Sequence, residues 1–129
     1  MLIIVHILVF VLLAIAAGVQ FNDPDPVFWV GLYLLSAVAP LLYAFKVKLR
    51  YGHIVNGLAA LFCVAGLVCT VVGGIEYLQH VREESLIQGM SPDKPYIEET
   101  RELIGALVGL GVVGVYWYLG VRRNRASAD

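Results

Sequence analysis

Charge is almost absent from four long stretches of this chain, and that distribution limits its possible folds more than any motif does. Residues 1–21, 27–45, 54–75 and 103–121 contain no Asp, Glu, Lys or Arg. A bilayer core about 30 Å thick takes roughly 20 helical residues, and each run is close to that length. Lipid offers no partner to an unpaired N–H or C=O group, so the runs can cross only as helices. Carried to their polar boundaries, they predict transmembrane helices over about 1–21, 27–45, 54–78 and 100–121. The expected fold class is therefore an all-α integral membrane protein, a compact four-helix bundle in one domain. Composition agrees: 60% of residues are hydrophobic and 15% charged, where a soluble domain carries about 25% charged. A soluble chain of 129 residues could not bury that much apolar surface. The lipid bilayer is thus the one required partner. A net charge of −1 gives no electrostatic footprint for nucleic acid.

The first run has a rival reading as a secretory signal, because Ala14-Ile15-Ala16 resembles a small-residue cleavage site. No Lys or Arg precedes it and the apolar run continues beyond the site, so it is read as a retained span. Lys46, Lys48 and Arg50 lie between spans two and three, and Arg122, Arg123 and Arg125 follow span four. With four spans these two segments share a face, and the positive-inside rule makes it cytoplasmic. Both termini are expected on that side of a multi-pass protein.

The polar segments of the other face are the best clue to function. The turn Asn22-Asp23-Pro24-Asp25-Pro26 and the long connection after span three both emerge there. Asn22, Asp23, Asp25, Glu76, His80, Glu98, Glu99, Arg101 and Glu102 can therefore converge. Carboxylates crowded at a low-dielectric boundary repel one another unless protonated, paired with Arg or bridged by a cation. Asn22, Asp23, Asp25, Glu99, Arg101 and Glu102 form the candidate binding set. Asp25 before Pro26 also reads as a helix cap, its carboxylate on free N–H groups and proline in the first turn. An ion pair from Arg101 to Asp23 or Asp25 would clamp two helix ends together. On that reading Asp23→Asn destabilises the protein. Asp23, Glu76, His80 and Glu102 are candidate metal ligands, a mixed N/O set without any Cys cluster. The sequence identifies no cofactor.

Other residues read as architecture. Cys63 and Cys69 on one helix would hold their Cα atoms about 9 Å apart, too far for a disulfide. Pro40 frees the Ser36 carbonyl and predicts a kink. Gly105 and Gly109 form a small-xxx-small pair for close helix contact, inside the bundle or against a second copy or another membrane protein. Phe28 and Trp29 at one end and Tyr116, Trp117 and Tyr118 at the other fit interfacial belts.

Two motifs carry a resemblance. Val19-Gln20-Phe21-Asn22-Asp23-Pro24-Asp25 and Glu98-Glu99-Thr100-Arg101-Glu102-Leu103-Ile104-Gly105 resemble the two signatures of the transmembrane protein 220 family. Tyr77-Leu78-Gln79-His80 is similar to the stretch after that family's third helix. The resemblance implies a small multi-helix membrane protein and no particular activity. Residues 88–96, with Pro92 and Pro95, depart from it like an insertion.

Three roles compete for the polar cluster. It can clamp helix ends or bind a ligand or partner, in which case a direct clamp leaves no cavity between the helices. It can serve a hydrolase-like enzyme acting on a lipid headgroup. Asp23 and Glu102 would then be acid/base groups or metal ligands, Arg101 an anion binder and His80 a proton carrier. A small transporter fits least, because the spans are almost free of charge. The clamp or binding role is preferred, since no nucleophile arrangement is recognisable.

Overall fold

The computed structural model describes residues 3–89 and 91–127. Four helices follow in order: α1 (Ile3–Val19), α2 (Pro26–Ala44), α3 (Leu49–His80) and α4 (Pro95–Ala126). Among the described residues these four are long and apolar enough to cross a membrane. The first two positions of the expected first span lie outside the described residues. Both α3 and α4 run past their expected spans at each end, to 32 residues or about 48 Å. That exceeds a bilayer core, so each carries a polar turn beyond the lipid. On α4 this extra turn begins at Pro95, whose fixed φ suits a first helical position, and it carries Glu98.

The centre of the bundle is α2, which packs against the other three helices, while α1 lies mainly on α2 and α3 pairs with α4. On α1 only His6, Leu13 and Ala17 are buried, a narrow stripe at helical spacing. Its remaining apolar surface, from Ile4 and Leu8 to Leu12 and Ile15, is exposed and suited to lipid. Lipid tails are as apolar as the core, so close van der Waals packing must hold the helices together. Small residues make that approach possible. A Cβ at Gly109 would sit 3.1 Å from both Cys63 Sγ and Ser36 Oγ, and one at Gly105 would overlap the Tyr33 hydroxyl. The Gly105/Gly109 face is therefore filled by α2 and α3 of the same chain. Of the two uses expected for this face, the internal one is observed.

Several other expectations resolve here. Trp29 is only 2% exposed, in a core cluster with Leu13, Leu32, Tyr33 and Cys63, so it is a packing residue and not an interfacial anchor. Tyr116 is also buried and shares a hydrogen bond of 2.9 Å with His6 Nδ1, whereas Tyr118 is exposed. Cys63 and Cys69 are both free. Pro40 lies inside α2, and the Ser36 hydroxyl donates to Leu32 O at 2.8 Å.

A candidate acidic pocket at one end of the bundle

The α1–α2 connection is too short to wander. A 3-10 turn over Gln20–Asn22 ends at Asp23, which is extended at φ −78°, ψ 158°. Pro24 and Pro26 disfavour helix at the residues before them, and α2 starts at Pro26. Asp25 occupies the N-cap position, but its side chain makes no capping bond, contrary to the capping reading. The turn lies against the first turns of α4.

This geometry brings together three carboxylates. Single oxygens of Asp23, Glu98 and Glu102 all lie within 4.8 Å of one another. Asp23 is 8% exposed, and its Oδ2 is buried without a hydrogen-bond partner. A cavity of about 240 Å³ opens beside them, lined by Gln20, Asn22, Asp23, Tyr33, Arg101 and Glu102, among others. Burial raises the Asp23 carboxyl above the usual carboxylate range. Glu98 and Asp25 push the same way, and Arg101 opposes them.

Arg101 does not bridge the turn to α4. Its Nη1 pairs with Glu98 Oε2 on the same helix at 2.8 Å, and its Nε donates to Leu86 O at 2.7 Å. Nη2 donates to Gln88 O. Among the described residues the other ion pair joins Lys94 to Glu84, within the α3–α4 connection. The expected Arg101–Asp23 or Arg101–Asp25 clamp is thus replaced by an arginine that pins the connection onto α4. A planar guanidinium with five donors can satisfy a carboxylate and two loop carbonyls together, which hydropathy reasoning does not anticipate. A second cavity, about 460 Å³, lies between that connection and the turn, with Asp25, Glu98, Arg101 and Glu102 in its lining.

Other candidates fall elsewhere. Glu76 is exposed, and His80 Nδ1 lies 3.1 Å from the Glu76 backbone oxygen with its ring stacked on Tyr96 at 4.9 Å. Neither joins the carboxylate group, so among the described residues the mixed N/O set is not brought together. Glu99 turns toward α3, where its side chain fills the space beside Gly73. Asn22 remains at the cavity's rim. Glu98 stood among the residues expected to converge but outside the candidate binding set, although it shares a helical face with Glu102 at i,i+4. One contributor was missing altogether. Tyr33 comes from the middle of α2 and carried no signal.

Four helices long and apolar enough to cross a membrane, with one buried and two half-buried carboxylates at one end, describe a multi-pass integral membrane protein. Residues 12–118 match the family described as "Transmembrane family 220, helix", and the chain belongs to that family. It is 34% identical to Transmembrane protein 220 of Xenopus laevis over 125 residues, which cover 97% of this chain and 60% of that relative. The chain therefore spans about 60% of the length of that relative. No solved structure matches it.

Proposed function

We propose that the acidic pocket binds one hard divalent cation, which ties the α1–α2 turn to the start of α4 in place of a direct ion pair. The observation that carries this reading is Asp23 Oδ2, buried without a partner beside the Glu98 and Glu102 carboxylates. A buried, unsatisfied carboxylate oxygen is costly, and a low-dielectric surrounding magnifies that cost. Three carboxylates against the single Arg101 guanidinium leave two negative charges, which one divalent cation balances. The donor set is all oxygen, with the Gln20 and Asn22 amides at the rim, and such a set suits Mg²⁺, Ca²⁺ or Mn²⁺. The Lys and Arg excess at the opposite end supports a topology with this pocket facing away from the cytoplasm.

A second reading, in which Asp23 holds a proton instead of facing a cation, is favoured by its raised pKa. Hydrolysis at a lipid headgroup gains no comparable support. His80 is stacked on Tyr96, His6 bonds Tyr116 and His53 accepts from Trp117, so no imidazole serves the carboxylates. Elemental analysis of gently purified protein separates the first two readings. Cation binding gives about one divalent metal per chain, lost in the Asp23→Asn, Glu102→Gln double variant. Metal-free protein that takes up none on dialysis supports the protonated pocket.

A further inference from the structure

The opposite end of the bundle holds a third cavity, of about 510 Å³, bounded by α2, the α2–α3 connection, α3 and α4. That volume lies in the range of small-molecule sites, about 300–1,000 Å³. Lys46, Lys48 and Arg123 contribute to its lining, which includes no Asp or Glu. Among the described residues, none of these three cations has a carboxylate partner. Arg123 is held in place, with Nη1 donating to Tyr43 O at 2.6 Å and Cζ lying 4.6 Å from the Tyr43 ring centroid. Its other N–H groups remain for a ligand. The N-terminus of α3, which has no side-chain cap, borders the cavity through Lys48 and Gly52.

Two further features mark this as more than a basic patch. Asn56 lines the same cavity at 5% exposure, and its Oδ1 is buried without a hydrogen-bond partner. A half-turn about its last bond lets that amide offer either an N–H donor or a carbonyl acceptor. Lys46 is the one non-glycine residue with positive φ among the described residues, at 53°. It stands just after the α2 C-cap Phe45, a place where glycine or asparagine usually relieves the strain. Strain of this kind tends to persist where function requires it.

We propose that this pocket binds the phosphomonoester headgroup of an anionic lipid. Lys46, Lys48 and Arg123 take the phosphate oxygens, and Asn56 hydrogen-bonds the headgroup at the cavity floor. Three cations without a carboxylate suit a phosphomonoester of nearly two negative charges better than a zwitterionic diester. The site lies at the end of the bundle where the headgroup layer meets the helices. Basic pockets between transmembrane helices at a cytoplasmic surface bind such headgroups by the same physics.

The test is native mass spectrometry of the full chain in a neutral detergent, with phosphatidate or phosphatidylcholine added. The expected result is one phosphatidate retained per chain, with at least a tenfold preference over phosphatidylcholine. Lys46→Gln with Lys48→Gln should weaken retention at least tenfold, and Asn56→Leu should weaken it without any change of charge. Arg122→Gln with Arg125→Gln removes the same charge from exposed positions outside the pocket and should change retention less than threefold. Equal losses in the two double variants would mean diffuse attraction and overturn the site. Displacement of the lipid by equimolar glycerol phosphate would assign the pocket to soluble phosphate esters and overturn the lipid source.

Discussion

Tyr33 and Gly105 meet across the α2–α4 interface, the tyrosine hydroxyl occupying the space that a Cβ on residue 105 would need. Tyr33 also lines the acidic cavity, so the packing of the bundle and the shape of the pocket share one side chain.

That contact makes helix packing testable. Gly105→Ala must displace a buried aromatic ring, and Gly73→Ala must displace the Glu99 side chain from its Cβ outward. Each should cost about 1–3 kcal/mol, the usual range for overpacking. Gly111→Ala and Gly114→Ala meet nothing within 4 Å and should be neutral or stabilise by about 0.5–1 kcal/mol. Thermal unfolding in one detergent compares all four.

Lys46 offers a separate check on backbone strain. Replacing it with glycine relieves the left-handed conformation at φ 53° and should stabilise the chain by about 1 kcal/mol. Denaturation followed by circular dichroism reads the change. A loss of stability would mean that the lysine side chain contributes more than its backbone costs.

The pH dependence of the cation-free protein follows from Asp23. Its carboxyl is raised by burial and by neighbouring acids, against Arg101, so the folded state holds this proton more tightly than the unfolded chain does. The resulting stability is fully present below the unfolded pKa and is lost as pH rises through the higher folded pKa. Burial, with Glu98 and Arg101 on α4 and Asp25 on the facing side, sets that window, and Glu102 and Tyr33 line the same cavity. Glu84 acts oppositely: hydrogen bonds from Lys94 and Gln88 hold its pKa down, so its contribution is lost as pH falls through the folded pKa. With a chelator present, the melting temperature should fall as pH rises above the ordinary carboxylate range. Asp23→Asn should flatten that fall.

The buried, unpartnered Asp23 carboxyl reverses one expectation drawn from sequence. A clamping aspartate would make Asp23→Asn destabilising, yet among the described residues Asp23 has an unpartnered oxygen and no ion pair. Without divalent cation, Asp23→Asn should be neutral or stabilising near pH 7. With millimolar Ca²⁺ or Mn²⁺ the wild-type chain should gain melting temperature and the variant should not.

What the sequence revealed followed from rules that act along the chain. Hydropathy located all four spans, because lipid penalises charge and unpaired backbone regardless of neighbours. It also brought Asp23 and Glu102 to one end, since a five-residue gap between spans leaves the turn nowhere else to lie. Side-chain partners were not legible in this way. Arg101 turned to Glu98 and to loop carbonyls whose positions depend on how residues 81–94 fold back. His80 followed Tyr96 and Trp29 followed the core, both through packing that no spacing encodes. The basic cavity was visible only as a charge bias, because its walls come from three helices.

The central claim is that Asp23, Glu98 and Glu102 together hold a divalent cation. Titrating chelator-treated protein with Mn²⁺, and following the free ion by electron paramagnetic resonance, tests it most directly. The expected result is one Mn²⁺ bound per chain, displaced by excess Ca²⁺ or Mg²⁺ and lost in the Asp23→Asn, Glu102→Gln double variant. Absence of saturable binding, or equal binding by wild type and that variant, would contradict it.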